Sequence, residues 1–248
     1  MAVFLLNMPI QPIRFGDEGQ VATRAMVERY GALAAALGAC ADAHSVDSAR
    51  SALAALEALD RRFGGEAAIA LPEAEALVAS LSTDLASLEA AAKRAGEGAS
   101  AAQLADLVLA VALWAIRHAV PIAVVEPAAN VLAERSNAAS GKPELAAVFG
   151  LMQGVIAHVH PRLAADPERS DPQRPWRILH ANLAITAIRT EDPQRMALAF
   201  DALDAALPDE RAGFYSEALA LALSPRIAPA VREAIEARHR KWAPASKT

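Results

Sequence analysis

The groups in this chain that could do chemistry are six histidines, one cysteine and a few polar residues at helical spacing. His158 and His160 stand two apart, with His180 further on. Residues two apart on a helix do not share a face, so that pair is not a local chelate. A metal centre would need His158, His180 and a carboxylate such as Asp171 to converge from separate segments. No H-E-x-x-H or paired Cys/His spacing occurs, and no metal site is expected. Trp114 and His118 fall at i, i+4 and share a helix face. With His180 they are the candidates for lining a small-molecule pocket among the central helices; core packing accounts for the same pattern. Cys40 sits in an alanine-rich run and reads as a small buried apolar residue rather than a nucleophile.

A second constellation points to binding. Asn130, Glu134 and Asn137 fall at i, i+4 and i+7, with Glu126 ahead of them, on a segment otherwise rich in Ala, Val and Leu. Asparagine is a poor helix former and a good two-point partner for a peptide backbone. The stripe is either a solvated face or a partner-binding one. Trp176 and Arg177 follow a segment of mixed charge, and Trp and Arg dominate interface hot spots. These five residues are the partner-binding candidates. No G-x-S-x-G, P-loop or dinucleotide glycine pattern is present. The nearby carboxylates Glu73 and Glu75, and Asp209 and Glu210, stand in first helical turns, where the helix dipole accounts for them. The expectation is a protein with no catalytic residues and no cofactor. The alternative is a ligand-binding protein or enzyme with a central pocket.

These residues must be positioned by helices. Roughly a quarter of the 248 residues are alanine, and aromatics make up 4%. Alanine favours helix, while strand-forming aromatic residues are scarce. The fold class expected is all-α, with about ten helices. Proline is accepted in a first helical turn and rejected in the interior. Pro72, Pro127, Pro143, Pro175, Pro193, Pro208, Pro225 and Pro229 therefore read as standing at or near helix starts. The predicted helices cover about 17–43, 47–63, 72–95, 101–118, 127–139, 143–160 and 175–189, followed by three beginning near Pro193, Pro208 and Pro229. Residues 161–174 read as a polar loop. Leu107–Ile116 is apolar almost all round and reads as a helix surrounded by others.

Pro143, Pro175 and Pro208 are 32 to 33 residues apart, the period of helical-hairpin repeats. Trp176-x-x-Leu179, with Phe200 and Pro208 after it, resembles the tetratricopeptide repeat pattern over about 140–241. His180, Leu183 and Met196 depart from it at the glycine, tyrosine and alanine positions, and the spacing between the two halves is about four residues longer. The resemblance implies stacked antiparallel hairpins, α-solenoid-like, with asparagines on one face clamping a peptide backbone. Asn130 and Asn137 match that role by residue type.

The expected organisation is an extended arm over 1–15, a single helical domain over 16–242 and a frayed tail over 243–248. Within the domain, 16–99 is more bundle-like and 100–242 is the hairpin array. The arm holds P-x-x-P-x-R at Pro9–Arg14, a pattern SH3 domains read, and its Phe4, Leu5, Leu6 and Ile10 suit packing on the core. Exchange of this arm between subunits would make a homo-oligomer. The net charge of −5 with interspersed signs lacks the footprint of a nucleic-acid binder. The apolar run of about ten residues is half a membrane span, so no membrane partner is expected. A lone cysteine fits a reducing, cytoplasmic setting.

Overall fold

The computed structural model describes residues 23–37, 41–63, 68–165, 171, 173–224 and 227–242. The expected arm, Cys40, the prolines at 167, 172 and 225 and the tail lie outside the described residues. Among those described, the chain forms eleven helices and no strand, which makes it all-α. The helices are α1 Thr23–Leu37, α2 Ala43–Phe63, α3 Pro72–Arg94, α4 Gly98–Arg117, α5 Glu126–Ala138, α6 Lys142–His158, α7 Pro161–Ala164, α8 Pro175–Thr190, α9 Pro193–Ala206, α10 Arg211–Ala222 and α11 Pro229–Trp242. Among the described residues, one isolated bridge pairs Ile122 with Val159.

Packing divides the chain into two units. The first takes residues up to Glu134 together with 150–167, and the second takes 135–149 and everything from 168 onward. In the first unit α1 packs on α2, α2 on α3, α3 on α4 and α4 back on α1, closing a four-helix bundle. α4 has the length and hydropathy of a membrane span, but 61% of its most apolar window is buried in the protein. It is apolar all round because α1 and α3 take its flanks. Tyr30 in α1 donates its hydroxyl to the Val46 carbonyl of α2 at 2.8 Å. Burial pushes that phenol up to about 12.

In the second unit α8 pairs with α9, α10 with α11, and α11 also packs on α9. The starts of α8 and α10, Pro175 and Arg211, and those of α9 and α11, Pro193 and Pro229, are 36 residues apart in both cases. Two prolines behave differently from expectation. Pro208 lies in a turn closed by the Leu207 carbonyl, which accepts from Glu210 and Arg211, so α10 begins three residues later than Pro208 suggests. Pro161, expected in a loop, starts the four-residue α7. His160 supports that turn by accepting from the Arg162 N–H at 3.1 Å. It therefore caps the first turn of α7, while α6 ends at His158.

Candidate functional site

The pocket candidates come first. Trp114 is 2% exposed and His118 fully buried, so neither presents a surface to a ligand. Both serve a polar hub at the end of α2. Asp60 accepts from Trp114 Nε1 at 2.8 Å and lies 2.9 Å from His118 Nε2. Arg117 reaches the same carboxylate at 3.3 Å. Burying these groups is tolerable because each has a partner, and the hub pins α2 to α4. His180 belongs to the other unit, where its ring packs edge-on against Trp176 with centroids 4.4 Å apart. No group of metal-ligating side chains occurs among the described residues. His158 spends Nδ1 on the Gly154 carbonyl at 2.8 Å.

The binding candidates fall into two groups. Asn130, Glu134 and Asn137 are all exposed on α5. Glu134 accepts from Lys93 at 2.7 Å, so one member of the stripe is held by a neighbouring helix. Hydrogen bonding to Glu134 and Glu89 raises the Lys93 amine above its ordinary value. In the second unit, Trp176 is half-buried over His180, and Arg177 is committed to Glu210. Arg174, 5% exposed, meets the other oxygen of that carboxylate at 2.5 Å. Burial raises the Glu210 carboxyl, but hydrogen bonds from Arg174 and Arg177 outweigh it and hold the group below its ordinary value. Arg174 and Arg177 thus knit the start of α8 to the turn before α10, while Trp176 packs within α8, and part of Trp176 and Arg177 is still exposed.

A groove in the second unit was not singled out by the sequence reading. Between α9 and α11 lies a half-open cavity of about 210 Å³ with Met196, Phe200 and Val231 in its floor. These three are at most 3% exposed. Its walls are short: Ala197, Ala230, Ala234 and Ala237. Alanine cannot fill the space between two helix axes, so the larger side chains beneath are left as a floor. A second cavity of about 320 Å³ adjoins it, sharing Glu191 and Val231. That cavity is walled by the α5–α6 turn, Ala139–Lys142, and by the end of α8 at Ile188 and Arg189.

The chain builds this corner from α-helix ends. Arg189 closes α5 by donating to the carbonyls of Ser136 and, at 3.0 Å, Ala139. Ser136 and Thr186 share a buried hydroxyl bond of 2.8 Å between α5 and α8. Glu191 ends α8 in the left-handed region, at φ 54°, where glycine is the usual residue. Its carboxylate accepts from Lys142 at 2.7 Å across the second cavity. Asp192 then caps α9 by accepting from the N–H groups of Gln194 and Arg195. The sequence does hold a signal for the groove. Ala230, Ala234 and Ala237 stand at i, i+4 and i+7 on a helix otherwise rich in charge, a bare stripe beside Val231 and Ile235.

No family model matches the chain, and neither a curated protein nor a solved structure matches it, so the functional reading rests on its own residues.

Proposed function

We propose that the chain is a non-enzymatic interaction protein of helical hairpins that takes a peptide or protein segment in the groove beside α9 and α11. The observation that carries this is the half-open groove of about 210 Å³ that the alanines leave over the buried Met196, Phe200 and Val231, next to a charged rim. Cavities of this volume suit individual anchoring side chains of a longer segment, below or at the lower bound of drug-sized pockets. Two further features support the reading. The α8–α9 hairpin carries the residues that resemble a tetratricopeptide repeat. Asn137 stands two residues before the groove wall at Ala139, on the exposed stripe with Asn130 and Glu134.

The test is selection of binders from a random peptide library against the full chain. Ala234→Trp fills the groove at its alanine wall without touching the floor. A selected peptide is expected to lose affinity about tenfold or more on this variant, with helicity and melting temperature unchanged. Binding that ignores a well-folded Ala234→Trp variant removes the groove from the account.

A small-molecule reading is favoured by one observation in the first unit. A cavity of about 310 Å³ lies between α1 and α4, floored by Met26, Leu33 and Leu107 with Arg29 and Asp106 among its lining residues. Native mass spectrometry of the purified chain checks it: a bound ligand lost on Leu107→Trp supports it, and an unliganded mass throughout counts against it.

A further inference from the structure

We propose that the segment bound by this groove is acidic as well as apolar, and that its carboxylate replaces Glu191 on Lys142. The proposal rests on the groove being the binding site and names the chemistry of its occupant.

Four charged side chains line the two adjoining cavities: Lys142, Arg189, Arg238 and Glu191. Three are cations, in a chain whose net charge is −5. Their commitments differ. Arg238 is held by Asp201 and Asp204 at 2.7 Å each, so its charge is offset on the spot. Arg189 donates to carbonyls, which satisfy its N–H groups and leave its charge in place. Lys142 is met by Glu191, with side-chain exposures of 64% and 39%. An ion pair that open to water is weak and readily exchanged. The rim therefore offers a net positive site at its Lys142 end.

Glu191 is the telling residue. Its left-handed backbone, φ 54° and ψ 26°, is one that glycine would adopt without cost. A glutamate there holds a carboxylate over Lys142 in the mouth of the cavity. It occupies the position a partner's carboxylate would take. The first turn of α11, which borders both cavities, carries no acidic residue, so its dipole favours the same sign of ligand. An apolar side chain beside that carboxylate would reach the floor at Met196 and Phe200. Charge selects the partner and sets its register; the apolar anchor supplies the affinity.

The experiment uses peptides selected from the random library on the full chain, measured against the native protein, Glu191→Gln, Lys142→Glu and Ala234→Trp. The expected peptides pair Asp or Glu with a large apolar residue. Their affinity should rise about threefold or more on Glu191→Gln, which frees Lys142 of its internal competitor, and fall about tenfold or more on Lys142→Glu. Binding should weaken as salt rises. Peptides that respond to Ala234→Trp but lack acidic residues, or ignore both charge variants, overturn the acidic occupant while leaving the groove intact. Peptides that ignore Ala234→Trp overturn the groove and this proposal with it. If deleting residues 1–22 tightens peptide binding, the chain's own arm is the occupant, and the proposal of an acidic partner fails.

Discussion

Asp204 joins α9, α10 and α11 through one carboxylate. Oδ1 accepts from the Tyr215 hydroxyl at 2.9 Å, and Oδ2 accepts from Arg238 at 2.7 Å and from Trp242 Nε1 at 2.8 Å. Arg211 lies over the Trp242 ring at 3.4 Å and donates to the Asp204 carbonyl. Burial, then the bond to Asp204, raises the Tyr215 phenol far above its ordinary value, so it stays a donor. Removing one member of a buried charge pair strands the rest. Asp204→Asn should cost about 3 kcal/mol, read as a lower denaturant midpoint by tryptophan fluorescence; a loss within ordinary surface scatter would show that the hub does not hold the hairpins. Glu210 makes a pH prediction. Its carboxyl lies below its ordinary value of 4.5 when folded. The Arg174–Glu210–Arg177 contact therefore stabilises the fold above that value and is lost as pH falls through the folded one. Melting temperature should drop along this acid limb, and Glu210→Gln should flatten the drop. An identical acid limb in the variant would assign it to other carboxylates. Neither hub was legible in the sequence. Trp114 and Asp60 are 54 residues apart, and Asp204 and Trp242 are 38 apart. A single chain carries no mark of which distant carboxylate meets which donor.

Elements were far more legible than residues. Periodic leucines and alanines, with prolines at first turns, locate α3, α5, α8, α9 and α11 to within a residue or two of their observed starts. The reason is local: a missing N–H and a fixed φ act on the proline's own turn. Where a turn could form ahead of the helix, as at Pro208, the same rule placed the start too early. Asp192 adds a cap at the start of α9 that Pro193 marks. Its side chain accepts from two N–H groups of the first turn of α9 and also pairs with Arg195. Asp192→Ala should destabilise the chain by about 1 kcal/mol, checked by urea denaturation. Restoration by Asn, which keeps the capping oxygen but not the charge, would assign the effect to the cap. A full loss in the Asn variant as well would assign it to the Arg195 pair. The groove escaped notice because alanine carries two meanings. Along most of this chain it is only a strong helix former; at 230, 234 and 237 it is also the absence of a side chain between α9 and α11.

At the scale of the whole molecule, four helices close a bundle in one unit, and two hairpins with a shared 36-residue offset build the other. The all-α class followed from composition, because an alanine-rich chain with few aromatics has little from which to build a sheet. The function could not follow in the same way, since an interaction surface is defined by what helices leave uncovered. The candidate surface here is the alanine-walled groove over Met196, Phe200 and Val231, beside Glu191 and Lys142. Methyl NMR of the full chain titrated with a library-selected peptide tests that assignment most directly. Shifts centred on Met196, Val231 and Ile227 are expected, with the α1–α4 bundle unmoved. Shifts confined to the bundle, or to α5 around Asn130 with the groove methyls unchanged, would contradict it.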